Sequence, residues 1–107
     1  MENVMNNTSK IFESHIRIQM IASLSVSDLT YKQLKTILDC TDGNMTTHTR
    51  KLIDSGFVTV KKEFVNRRPQ TTYHLTDEGR QQFVEYVELL NTLVEDGKKA
   101  HDLQFQQ

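Results

Sequence analysis

CTDGNMTTHTRKLIDSGFVTVKKEFVNRRPQTTYHLT, residues 40–76, changes its period halfway, and that change decides the fold. Thr41 can cap a helix whose inward positions are Met45, Leu52 and Ile53, and Gly56 stands just past its end, where a left-handed residue is wanted. From Phe57 the period becomes two: Val58, Val60 and Phe64 alternate with Thr59, Lys61 and Glu63, and Val65 closes the run. Asn66, Arg67, Arg68, Pro69 and Gln70 read as a turn, and Thr71 to Leu75 as a returning strand containing Tyr73. A helix is thus followed by a hairpin with a basic tip.

Upstream, Thr30 followed three residues later by Gln33 matches a capping box, and Leu34, Ile37 and Leu38 give the short helix behind it an apolar side. Two short helices joined by a tight turn make a helix-turn-helix pair. Before them, Ser14, Ile16, Met20, Ile21 and Leu24 predict a helix over about residues 10–24, with Ile11 and Phe12 partly buried in its first turn. Downstream, Thr76 caps a last helix that opens on Asp77 and Glu78, acids the helix dipole favours there. Phe83, Val87, Leu90 and Val94 recur on it at spacings of four, three and four, close to a coiled-coil seam, flanked by Val84, Tyr86 and Leu93. The short helices and the hairpin offer little for so long a stripe to cover, so part of it is expected against a second chain.

The expected fold is therefore mainly α with a small β-hairpin, an α+β arrangement with terminal dimerisation helices. One domain over residues 1–107 is expected, with a core of about 10–75 and a C-terminal dimerisation helix of about 76–105. No internal repeat or linker-like tract interrupts it. At 36% hydrophobic and 25% charged the chain has the composition of a folded domain. It has no apolar run near the roughly 18 residues that would span a bilayer, and no signal-like start. With a single cysteine, Cys40, these features lead to an expected cytoplasmic location.

The net charge of −1 argues weakly against a nucleic-acid partner, but its distribution argues for one. Residues 32–74 hold eight bases (Lys32, Lys35, Arg50, Lys51, Lys61, Lys62, Arg67, Arg68) against four acids, a local balance of +4. Residues 76–96 hold six acids against Arg80 alone. The helix opening at Thr41 is expected to turn Asn44, Thr46, Thr47, Thr49 and Arg50 outward, with His48 and Lys51 near the edges. Asn suits adenine, Arg suits guanine, and Thr suits phosphate or a thymine methyl. A polar outer face is also what any exposed helix has, so the hairpin carries the weight. There Pro69 stiffens a turn bearing Arg67 and Arg68, with Asn66 and Gln70 beside them and Lys61 and Lys62 flanking, residues suited to a narrow minor groove.

These stretches, HIRIQMIASL, TYKQLKTIL, residues 40–76 and DEGRQQF in that order, resemble the winged helix-turn-helix transcriptional regulators of the MarR and ArsR groups, particularly their short members. The likeness covers roughly residues 14–94. It implies a homodimer on a palindromic operator, Thr41 to Lys51 as recognition helix and Asn66 to Gln70 as wing, a dimer interface on the first and last helices (Ile11, Phe12, Phe83, Val87, Leu90, Val94), and a transcription regulator, more commonly a repressor.

The chain departs from the metal-sensing ArsR branch, whose members resemble one another in a pair of cysteines near the recognition helix. Cys40 stands alone, and His15, His48, His74 and His101 have no ligand-like spacing, so neither metal nor cofactor is expected. Cys40 reads either as a small apolar filler or as a single-thiol switch. No phosphate-binding glycine loop, nucleophile elbow, HExxH or CxxC occurs, so no enzyme is expected. The competing reading is a winged-helix module that binds protein and leaves DNA alone, which the net acidity favours slightly. The small-molecule effector, if there is one, is unknown.

Overall fold

The computed structural model describes residues 10–105. Along the chain run α1 (His15–Leu24), β1 (Leu29–Thr30), α2 (Tyr31–Leu38), α3 (Asp42–Asp54), β2 (Val58–Val65), β3 (Arg68–Leu75) and α4 (Asp77–Phe105). Among the described residues these four helices and a three-stranded antiparallel sheet of order β1-β3-β2 make the winged-helix fold.

Each helix begins where its sequence supplies an acceptor for the free N–H groups of a first turn. Ser14 accepts from the Arg17 amide, so α1 starts at His15 and not near residue 10. Residues 10–11 are helical and end before it, and Phe12 lies in the turn that follows them, closed by Glu13 N–H donating to the Lys10 carbonyl at 3.2 Å. Thr30 and Gln33 form the reciprocal capping box of α2, at 3.1 and 2.9 Å. Thr41 accepts from the Asn44 amide at 3.1 Å. Gly56 follows α3 with φ +81°, the left-handed conformation that glycine adopts without a Cβ penalty.

The core gathers Met20, Ile21 and Leu24 from α1, Leu34 from α2, Met45 and Leu52 from α3, and Phe57, Val58, Tyr73 and Leu75 from the sheet. Ile11 and Phe12 complete it, with Phe12 edge-on to Phe57 at 5.6 Å and stacked on Tyr86 at 4.3 Å and 4°. Two residues expected inside lie outside: Ile53 is at the surface of α3, and Ile37 is 56% exposed. The periodicity of an eight-residue helix does not say how much of its apolar side a neighbour reaches.

The β2–β3 hairpin pairs Val58 with Leu75, Val60 with Tyr73 and Val65 with Arg68. That register leaves a two-residue turn, Asn66-Arg67, both left-handed at φ 53° and 66°, as a hairpin with the right-handed strand twist requires. The five-residue turn expected from the sequence is therefore corrected: Arg68, Pro69 and Gln70 are strand. Pro69 is tolerated because β1 pairs with β3 only at Tyr73 and Thr72, which leaves the outer edge of β3 open at position 69. The alternation of β2 buries Val58 alone. The rest of the strand projects past the core with both faces in solvent, and Phe64 is 78% exposed.

The start of α4 is locked to the end of α3. Thr76 Oγ1 accepts from the Gly79 amide and donates to the Gly56 carbonyl at 2.7 Å, while its own N–H donates to the Phe57 carbonyl at 2.9 Å. Gly79 is packed so closely that a Cβ there would lie 2.6 Å from the Phe57 carbonyl oxygen. Among the described residues no helix is long and apolar enough to cross a membrane.

Candidate nucleic-acid interface

The candidate site consists of α3, the hairpin and the start of α2. On α3, Met45, Thr49 and Leu52 are buried, and the opposite face exposes Thr41, Asn44, Thr46, Thr47, Arg50 and Lys51. Thr49 corrects the outward face expected from the sequence. It is 6% exposed and its hydroxyl donates to the Met45 carbonyl at 2.6 Å, so an i−4 backbone acceptor hides a polar group inside the helix seam. His48 is half-buried at the edge toward α1.

The hairpin exposes Lys61, Lys62, Asn66, Arg67 and Arg68, with Gln70 partly covered. Lys61 reaches Glu63 at 3.4 Å, an exposed pair that a competing phosphate displaces at little cost. Between α3 and the hairpin runs a cleft of about 350 Å³, with Thr46 and Arg50 on the helix side, Lys62, Thr71 and Tyr73 on the strand side, and Tyr31 at one end. Arg50 and Lys62 thus flank one groove from two elements, a placement suited to a phosphate chain between them.

The angle between α2 and α3 is held by residues not singled out in the sequence. Tyr31 Oη donates to Asp42 Oδ1 at 2.5 Å, and Lys35 Nζ lies 2.9 Å from the same oxygen. The hydrogen bonds from Tyr31 and Lys35 hold the Asp42 carboxyl below its ordinary value, and the carboxylate as acceptor pushes the Tyr31 phenol up to about 12. Asp42 opens α3 and these two donors offset its charge, while Asp54, at the other end of the helix, lines the cleft beside Arg50.

A second missed residue is Arg17. It lies in α1, 6% exposed, and its guanidinium donates to the carbonyls of Ile11 (3.0 Å) and Lys10 (2.8 Å) and contacts His48 Nδ1 at 3.2 Å. Burial first, and then the positive charges of Arg17 and Lys51, lower the His48 pKa from its ordinary value. A charged residue within a helical pattern reads as outward, and no local signal marks this one as buried.

The residues expected at a dimer interface divide. Ile11 and Phe12 are filled into the chain's own core and leave little surface for a partner, and Phe83 with Tyr86 packs partly against that core. Val87, Leu90 and Val94 are 39, 43 and 54% exposed along α4. Cys40 is half-buried, outside any disulfide and packed beside the core. Among the described residues no group of three or more His, Cys, Asp or Glu side chains is placed to hold a metal.

Comparison with known proteins agrees with this geometry. An uncharacterized protein of Methanocaldococcus jannaschii is 37% identical over 79 residues, 73% of this chain and 86% of its own length. The fold is similar to a transcriptional regulator homologue from Pyrococcus horikoshii, at 27% identity and TM-score 0.68, over 85% of this chain and 96% of that one. It is also similar to PadR of Bacillus subtilis, solved in complex with operator DNA, at 18% identity and TM-score 0.59, over 65% of this chain and 45% of that one. Residues 16–94 match the family described as Winged helix DNA-binding domain, and the chain belongs to that family.

Proposed function

We propose that the protein is a sequence-specific regulator of transcription, acting in the cytoplasm as a homodimer that occupies a palindromic operator and represses from it. Each protomer lays α3 in a major groove and reaches the adjacent minor groove with Arg67. The observation that carries this reading is the exposed face of α3 opposite a hairpin that stands clear of the core, with Arg50 and Lys62 across the cleft between them. Thirteen residues make a helix about 20 Å long and 10–12 Å across, a fit for a groove about 12 Å wide. The complex of PadR with operator DNA supports the same use of a similar fold.

The dimer rests on α4. Its 29 residues extend about 44 Å, and beyond Tyr86 the apolar residues Val87, Leu90 and Val94 continue along one side without cover from the protomer. Six acids over residues 76–96 keep that helix away from phosphate.

Titration of a labelled pool of random duplexes at two salt concentrations tests this function. Phosphate contacts from α3 and the hairpin make affinity fall steeply with salt, by close to one unit of logarithmic slope for each contact. Absence of binding at low salt contradicts it.

A further inference from the structure

The contact between Arg17 and His48 fixes a proton. A guanidinium carries only donors, so an Arg17 nitrogen 3.2 Å from His48 Nδ1 requires a lone pair on that ring nitrogen. The ring is then neutral and its single proton sits on Nε2. Arg17 is itself held firmly, because its other two nitrogens donate to the Ile11 and Lys10 carbonyls. The charges acting on His48 are Arg17 from α1 and Lys51 from α3, both positive; Lys10 and Asp54 line the same pocket as Arg17 and Lys51, and among the described residues no carboxylate forms an ion pair with Arg17 or His48. A second positive charge on the imidazole is therefore opposed from both sides.

We propose that Arg17 is a positioning residue for DNA recognition, fixing His48 as the Nε2–H tautomer so that α3 presents a neutral, one-proton donor beside Thr47 and Lys51. This rests on the DNA-binding reading. The acceptors that such a donor fits are a phosphate oxygen or the O6 and N7 of guanine. A histidine elsewhere on the surface exchanges between two tautomers and a cation near neutral pH. Held by Arg17, this one keeps one donor pattern through that range, and recognition does not drift with pH.

The tautomer is read directly from the imidazole nitrogen-15 resonances of the full chain, free and with the random duplex pool, between pH 6 and 8. One ring with an unprotonated Nδ1 and a protonated Nε2 is expected, with duplex affinity flat from pH 8 to 6.5. His48→Gln, whose amide nitrogen stands near the place of Nε2, is expected to keep affinity within about threefold. His48→Asn, whose amide reaches only the place of Nδ1, is expected to lose about tenfold, one hydrogen bond's worth. Arg17→Met is expected to release the ring to both tautomers and make affinity tighten as pH falls from 8 to 6; should that variant not fold, the wild-type resonances and the two His48 variants still decide. A protonated Nδ1 in the wild type, or equal affinities for the Gln and Asn variants, overturns the proposal alone. Failure of the wild type to bind any duplex while showing the Nε2–H tautomer overturns the DNA-binding reading, and the proposal with it.

Discussion

Tyr31 and Asp42, the first residues of α2 and α3, are joined by a 2.5 Å hydrogen bond from phenol to carboxylate. The two helix starts are thereby fixed to each other, and Tyr31 also lines the cleft between α3 and the hairpin. Because the carboxylate stabilises the protonated phenol, this contact favours the folded chain below the ordinary tyrosine value of 10, and the benefit is lost as pH rises from there towards about 12. Spectrophotometric titration of the native protein should show a phenol ionising near 12 that disappears in Tyr31→Phe, together with a lower thermal midpoint. Ionisation of Tyr31 at its ordinary value would show that the staple does not hold.

Gly79 and Gly97 lie on the same helix and should respond in opposite directions to alanine. At Gly79 a Cβ would come within 2.6 Å and 2.9 Å of Phe57 backbone atoms, and Gly79→Ala is expected to cost about 1–3 kcal/mol. At Gly97 nothing lies within 4 Å, and Gly97→Ala should gain up to about 1 kcal/mol from helix propensity. Urea denaturation of both variants checks the pair, and equal effects would contradict the close approach of α4 to Phe57.

Much of this framework is legible in the sequence because it is local. The capping box of Thr30 and Gln33, the cap at Thr41 and the left-handed Gly56 are set by neighbours within four residues. What the sequence conceals depends on partners far along the chain. Two residues are too few for β1 to show a period, and its partners Thr72 and Tyr73 lie more than 40 positions away. Thr49 reads as outward because it is polar, and nothing local marks Arg17 as buried; a backbone carbonyl one turn back hides the first, and the Lys10 and Ile11 carbonyls of the preceding segment hold the second. Of the candidate site, the exposed residues of α3 and the basic hairpin tip were readable, whereas the parts that aim them were not.

Arg67 occupies a left-handed position that glycine fills without strain. Arg67→Gly is therefore expected to leave the hairpin as stable or up to about 1 kcal/mol more so, while weakening duplex binding and reducing the logarithmic salt slope by about one unit. Unchanged affinity would remove the hairpin tip from the interface.

Leu90 is 43% exposed in the protomer, in the middle of the stripe on α4. Leu90→Lys places a charge in the proposed seam and should shift sedimentation equilibrium toward monomer without loss of helical signal. A dimer that survives the change places the interface on another surface.

His48 has its pKa lowered in the folded chain by burial and by the charges of Arg17 and Lys51. The unfolded ring, near 6.5, takes up a proton more readily than the folded one, so the stability that the neutral ring contributes is present above that value and lost as pH falls through it toward the folded value. The denaturation midpoint of the wild type should decline more than that of His48→Gln between pH 7.5 and 5.5. Parallel declines would mean that the ring does not titrate differently on folding.

The most direct test of a dimeric, sequence-reading protein is selection of bound duplexes from a random pool followed by sequencing. The account predicts enrichment of a palindrome whose half-sites are centred about one helical turn, 10–10.5 base pairs, or a multiple of it apart. Retention of duplexes without any enriched sequence, or enrichment of a single half-site alone, would contradict it.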